Sequence, residues 1–317
     1  MSTPKKTLAV LGATGAQGGG LVRAILADPA GGFAARAITR NAASPAALEL
    51  ERLGAEVVAA DVDDEKSLER AFAGAHGVYA VTFFWAHMQP EREIDEARKI
   101  AAAAKAAQVK HLVWSTLEDT RRWVPLADDR MPTLMGRYKV PHFDAKGEAD
   151  RAFTEAGVPT TFLLTSFYWE NLIHFGMGPK PGPDGTLVWA MPLGSGPFPG
   201  IAVEDIGRCA HGVFKRGTSL AGQYVGVAGD QLTGEQMAAA LSTALGRTVH
   251  YHALSPAQYR GFGFPGAEDL GNMFQFNTEF ADAFCGARNV TASRALNPLL
   301  LSFAQWLEAN KASIPTT

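Results

Sequence analysis

Near the amino terminus an uncharged run, Leu8-Ala9-Val10-Leu11, gives way at once to Gly12, Gly15 and Gly18, spaced three apart. The next residues, LVRAILAD, put Leu21, Ile25 and Leu26 on one helical face. An apolar run without charge suits a strand buried on both faces of a parallel sheet. Glycines let a chain turn tightly and bring backbone N–H groups close to an anion. Strand, glycine turn and helix in that order form the context that a dinucleotide-binding fingerprint requires. A second strand over residues 35–39 ends at Arg40, where a first βαβ unit meets the adenosine ribose. An acidic residue there suits a free 2′-hydroxyl, whereas an arginine pairs a 2′-phosphate through its planar fork of donors. The chain is therefore expected to prefer NADP(H) to NAD(H).

The same alternation continues. A strand over 56–60 runs into Asp61 and Val62, which are placed at the carboxyl edge of the sheet near the adenine; the alternative is that Asp61 caps a helix over 67–72. A fourth strand, 78–82, leads into Phe83, Phe84 and Trp85. The helix over 91–108 has high intrinsic propensity, and its charges read as a solvated face. A fifth strand, 109–114, ends at Ser115, whose hydroxyl is positioned to hold a substrate carbonyl. A helix over 141–156 carries Lys146, to fix a nicotinamide ribose, with His142 one turn earlier on the same face. Between them, residues 117–141 are rich in Pro, Arg and Asp and read as a mobile loop over the pocket. Arg121, Arg122, Tyr138 and Lys139 on that loop either contact substrate or are solvated, and Tyr138 is a surrogate acid. After a sixth strand over 159–165, the aromatics Phe167, Tyr168, Trp169 and Phe175 are either core or the wall of a nicotinamide pocket.

The expected fold class is α/β: a Rossmann-type doubly wound parallel sheet with a smaller mixed α/β C-terminal lobe. Residues 1–165, with 200–228 returning, form the NADP(H)-binding domain; 166–199 and 229–317 form a substrate or partner lobe, with the cofactor in the cleft between. In that lobe Thr233 and Gln236 have capping-box spacing, and GFPGAEDLGNMFQF carries more apolar area than a loop needs.

Composition narrows the function. In 317 residues the formal net charge is −3, which gives no electrostatic reason to bind nucleic acid or an anionic membrane directly. Cys209 and Cys285 are the only cysteines, too few for a disulfide framework and without metal-ligand spacing. His250 and His252 share a strand face but have no evident third ligand, so no metal is expected. No apolar run reaches the ~18 residues of a membrane span and no signal peptide is legible, so a reduced cytoplasmic location is expected.

GATGAQG, the Thr39–Asn41 triplet TRN, HFDAKGE, YWENLI and GFPGAEDLGNMFQF together resemble the NmrA-like family of atypical short-chain dehydrogenase/reductase proteins, in particular its NADPH-sensor branch. The resemblance implies NADP(H) held by Gly12, Ala13, Thr14, Gly15, Ala16 and Gln17, by Arg40 and Asn41, and by Asp61 and Val62. It adds Thr82, Phe83 and Phe84, while Lys146 with Tyr168, Trp169, Glu170 and Asn171 completes the nicotinamide end. The tyrosine that usually precedes the lysine by four residues, as proton donor, is His142 here. Loss of general-acid assistance, worth ~10²–10⁴-fold in rate, would leave cofactor binding intact. Two functions follow: a redox sensor or regulator whose partner contacts depend on cofactor, and, alternatively, an NADPH-dependent reductase of a carbonyl, enone, quinone or azo-type acceptor with Lys146, Ser115 and His142 as working groups. The partners implied are a small-molecule acceptor or a regulatory protein, and a homodimer is compatible with either.

Overall fold

The computed structural model describes residues 4–182 and 184–316. The chain divides into two compact units: one takes the chain through Asp119, Ala145–Leu164 and Val203–Val225, and the other Thr120–Asp144, Thr165–Ala202 and the chain from Gly226 on.

The first unit is built on a seven-stranded sheet. Strands β1 (Lys6–Val10), β2 (Phe33–Thr39), β3 (Glu56–Ala59), β4 (Gly77–Ala80), β5 (His111–Thr116) and β6 (Thr160–Leu164) pair in parallel. Spatially the order is β6-β5-β4-β1-β2-β3, with Tyr224–Gly226 beside β6. The order reverses between β1 and β4, and ligands of such sheets bind outside the carboxyl ends at that switch point. Gly12 follows β1 and Thr82 follows β4, so both belong to that edge.

Helices α1 (Ala16–Ala27), α2 (Pro45–Arg52), α3 (Glu65–Phe72), α4 (Pro90–Ala106), α5 (Pro141–Ala156) and α6 (Val203–Arg216) accompany the sheet. One buried cluster joins Leu11, Leu68, Phe72, Ile94, Ile100, Trp114 and Phe153, so strand, α3, α4 and α5 residues share a core. α1 and α6 approach through glycine: a Cβ at Gly207 would lie 2.1 Å from the Leu21 nitrogen. The α/β sheet expected from the glycine turn is thus present.

Three local expectations are corrected. α3 starts at Glu65, and Asp64, not Asp61, caps it by accepting from the Ser67 N–H at 3.1 Å. Asp61 instead accepts from the Asp63 N–H through its side chain. On α4 the charges are not all solvated, since Glu93 is 0% and Glu96 4% exposed. The loop before α5 is pinned, as follows from the second unit.

In that unit, Asp230–Leu232, Phe198–Ile201 and Phe167–Tyr168 form one small sheet, and Val249–Ala253, Leu187–Met191 and Lys180–Pro181 another. The helix Gly234–Leu245 begins with the expected Thr233–Gln236 capping box. Trp169 is buried against Phe303 and Trp306, whereas Phe175 is 81% exposed at a φ of +61°.

The helix Ala267–Glu279, which is the GAEDLGNMFQF motif, holds the 117–141 segment with amides. Asn272 Nδ2 donates to the carbonyls of Pro132 (2.9 Å) and Lys139 (2.5 Å), and Gln275 Nε2 to that of Arg130 (2.8 Å). From the start of α5, Asp144 accepts from the Thr120 N–H and hydroxyl and from the N–H groups of Lys139 and Val140, at 2.6 to 3.1 Å. Lys139 is buried and donates its ammonium to the Asp128 and Met131 carbonyls, and Tyr138 is buried too, so neither is a solvated loop residue.

Candidate functional site

At the β1 edge the backbone does what its glycines allow. Gly12 has a φ of +62°, in the left-handed region that β-carbons disfavour. A Cβ on Gly18 would fall 2.5 Å from the Gly12 carbonyl oxygen, so α1 rests directly on the turn. α1 begins at Ala16 with no side-chain cap and no acidic residue in its first turn. Its orphan N–H groups and dipole leave a positive end suited to an anion. Thr14, Gly15 and Ala16 are exposed there, Ala13 is buried beneath, and Gln17 accepts a hydrogen bond from the Tyr79 hydroxyl.

Arg40 and Asn41 follow β2 and are exposed. The contrast with Arg36, on the same strand, is informative. Arg36 pairs with Glu56 at 2.8 Å and caps the α3 carbonyls of Ala71 and Ala73, whereas Arg40 has no hydrogen bond or ion pair to a described residue. Asn41 accepts from the Ala43 N–H, which shapes the turn after β2. Asp61 and Val62 follow β3, with Asp61 exposed.

At the β4 edge the chemistry is denser. The Lys146 ammonium lies 2.8 Å from Thr82 Oγ1, 2.8 Å from Glu93 Oε1 and 3.3 Å from the Thr82 carbonyl oxygen. The Thr82 hydroxyl donates to Glu93 Oε1 at 2.6 Å. On its other side Glu93 Oε2 faces His87 Nε2 at 3.4 Å, and His87 Nε2 is 3.8 Å from Glu96 Oε1. Burial opposes ionisation of Glu93, but the Lys146 charge, the close approach of His87 and the hydrogen bonds from Lys146 and Thr82 outweigh it and hold its carboxyl down to about 2. Burial, and then the Glu93 charge, push Glu96 up. Phe83, beside this cluster, is 64% exposed while Phe84 is buried.

His87, Glu93 and Glu96 offer three ligand-capable atoms within 4.8 Å of one another. A proton-bearing network describes them better than a metal centre. The Gln89 N–H donates to His87 Nδ1, so in the neutral ring the hydrogen is on Nε2, facing the carboxylates. A dication there would also be repelled by the Lys146 ammonium, which lies 2.8 Å from the other Glu93 oxygen.

Lys146 is set on its helix by its neighbours. A Cβ at Gly147 would lie 2.4 Å from the Asp119 nitrogen, so that glycine lets α5 close on the chain leaving β5. One turn later, buried Asp150 accepts from Trp114 Nε1 and from the hydroxyls of Thr116 and Tyr224. Ser115 is 2% exposed on β5.

Within the second unit, His142 meets Asp269 twice: its Nδ1 donates to Oδ1 at 2.6 Å and its backbone N–H to Oδ2 at 3.1 Å. The carboxylate fixes the ring's tautomer and direction. Of the 168–171 segment, Tyr168 and Asn171 are half-buried, Trp169 is core, and Glu170 accepts from Trp306 Nε1 at 2.9 Å.

The structure thus brings Lys146 and Thr82 together, while Trp169 and Glu170 are committed to internal partners. Sequence reading missed Glu93, His87 and Asp269. A signal for Glu93 existed, because it lies four residues before Ala97 and seven before Ile100, on α4's buried stripe.

Comparison with known proteins gives a consistent answer. The NmrA-like family model matches residues 4–302. The chain is 31% identical over 262 residues to an NAD(P)H azoreductase of Xenophilus azovorans, covering 81% of each chain, and 31% identical over 291 residues to the NmrA-like family domain-containing oxidoreductase FrzB of Cladobotryum sp, covering 85% of this chain and 83% of the relative. Among solved structures it resembles NmrA, a negative transcriptional regulator, in complex with NADP (TM-score 0.79, 24% identity, covering 96% and 95%). It also resembles Citrobacter sp. triphenylmethane reductase complexed with NADP(H) (TM-score 0.73, 19% identity, covering 96% and 99%). The chain belongs to the NmrA-like family.

Proposed function

We propose that this chain binds NADP(H) along the carboxyl edge of β1, β2 and β4 and acts as an NADPH-dependent reductase. The observation that carries the reading is the pairing of an uncapped α1 N-terminus with an Arg40 guanidinium that has no described partner. The first suits a pyrophosphate and the second a 2′-phosphate. Relatives named as oxidoreductases and as an NAD(P)H azoreductase favour redox chemistry, and the acceptor we propose is of the carbonyl, enone, quinone or azo class.

When bound, the reduced cofactor supplies the hydride. The chain's own contribution is then binding and proton handling. Lys146 holds the nicotinamide ribose, Ser115 the acceptor's oxygen or nitrogen, and His142, oriented by Asp269, delivers the proton that a tyrosine supplies elsewhere. NADPH consumption against a panel of such acceptors tests this, with Lys146→Ala expected to abolish turnover.

A second reading, a cofactor-dependent regulator, draws support from the Lys146 network. All three ammonium hydrogens already have acceptors, an arrangement that fixes the ammonium in place rather than freeing it to pass protons. Hydrogen exchange or partner capture that changes with NADPH loading, in the absence of turnover, would favour it.

A further inference from the structure

The buried carboxylate beneath the lysine carries a further inference, which rests on the reading of Lys146 as the group at the nicotinamide end. We propose that Glu93, backed by His87, is the positioning residue of Lys146 and its compensating charge, so that the cofactor meets an ammonium fixed in place and electrically balanced.

Lysine ends a flexible four-carbon stem, and ordering it only on ligand binding would cost side-chain entropy. Here the ordering is done in advance. Glu93 comes from α4, Thr82 from the end of β4 and Lys146 from α5, three elements of one unit that share a core. The ammonium's contacts are unequal: two of 2.8 Å, to Glu93 Oε1 and Thr82 Oγ1, and a longer one of 3.3 Å to the Thr82 carbonyl. The long contact is the one a ribose hydroxyl can replace while the other two keep the nitrogen where it is.

Glu93 is in turn held at one oxygen and faced by His87 at the other. The Thr82 hydroxyl donates to Oε1, and His87, its Nδ1 occupied by the Gln89 N–H, turns Nε2 toward Oε2. The two atoms face each other at 3.4 Å without hydrogen-bond geometry, and among the described residues neither has a hydrogen-bond partner. Glu96 stands behind, its charge met by Arg92 at 3.1 Å, and Arg92 reaches Asp63 at 2.7 Å. A carboxylate at 0% exposure is expensive to bury unless its charge is used. Neutralising a lysine beside a nicotinamide is such a use, because the oxidised ring is positively charged and the reduced ring is neutral. Removing the carboxylate therefore leaves an uncompensated ammonium that repels the oxidised form selectively.

The test measures NADP⁺ and NADPH dissociation constants for the wild type, Glu93→Gln, Glu93→Asp, Lys146→Ala and the Glu93→Gln/Lys146→Ala pair, with near-UV circular dichroism confirming each fold. Glu93→Gln is expected to weaken NADP⁺ about tenfold through the lost charge and NADPH by less. In the Lys146→Ala background it should change little. Glu93→Asp, which keeps the charge but withdraws it, should fall between and carries the test if the glutamine variant does not fold. Wild-type affinity of the Glu93 variants for both forms overturns the proposal. So do equal losses for both forms, or losses that add in full to those of Lys146→Ala, because either outcome makes Glu93 merely structural. If Lys146→Ala itself binds both forms like the wild type, the reading of Lys146 falls and this proposal with it.

Discussion

The first unit treats the two ends of its switch-point edge in opposite ways. Beside β1 and β2 two positive groups are left uncommitted: the α1 N-terminus has no side-chain cap and Arg40 has no described partner, although Arg36, four residues earlier, is tied to Glu56 and to the end of α3. Beside β4 every charge is already met, Lys146 by Glu93 and Thr82, and Glu93 by Lys146, Thr82 and His87. An end with unspent donors gains free energy when an anion arrives, whereas a saturated end has little to gain and instead sets geometry and local charge. The phosphate side should therefore supply most of the affinity and the lysine side the discrimination between cofactor forms.

The strongest way to break that division is at Gly18. Any side chain there meets the Gly12 carbonyl at 2.5 Å and must push α1 off the turn. Gly18→Val is expected to abolish NADP(H) binding, and to cost several kcal/mol by overpacking against backbone, as read by calorimetry and thermal melting. Next comes Arg40→Ala. Losing a charge-assisted pair to the 2′-phosphate should weaken NADP(H) by ~10–100-fold and leave NAD(H) nearly unchanged; equal losses would remove Arg40 from the phosphate.

Acid titration sets the lysine end against the opposite edge of the sheet, where His111 opens β5. Buried His111, with Nε2 on the Thr161 hydroxyl at 2.8 Å, is pushed by burial down to about 4. Its folded value is below its unfolded one, so the unfolded chain takes up the proton first. Stability is full above about 6.5 and falls as pH drops toward 4, by on the order of 3 kcal/mol. Glu93, also depressed, adds a second loss between about 4.5 and 2. Denaturant melts of His111→Gln should show a shallower upper slope, to which His76 and His211 still contribute, and those of Glu93→Gln a shallower lower one. The smallest effect is at the α3 cap: Asp64→Ala should cost about 1 kcal/mol, with no change in cofactor preference.

Much of this was readable in the chain. The glycine turn, the parallel strand run and α5 all declare themselves locally, because spacing and apolar runs encode them. The HFDAKGE motif pointed to Lys146 and His142, but not to what surrounds them. Glu93 looked like one more charge on a charged helix, since a sequence shows that a carboxylate is present and not that a lysine 53 positions later will neutralise it. Asp269 was hidden for the same reason, being 127 residues from the histidine it orients. The segment before α5 has the composition of a free loop. It is nonetheless pinned, because beyond the nearby Asp144 its partners Asn272 and Gln275 are amides more than 130 residues away that no local pattern assigns to it.

The most direct test of the central claim is titration calorimetry of the folded protein with NADP⁺, NADPH and NAD⁺. The account predicts saturable uptake of both phosphorylated forms, tighter than that of NAD⁺, with the preference lost in Arg40→Ala. No uptake of either phosphorylated form by folded protein, or equal affinity for NADP⁺ and NAD⁺, would contradict it.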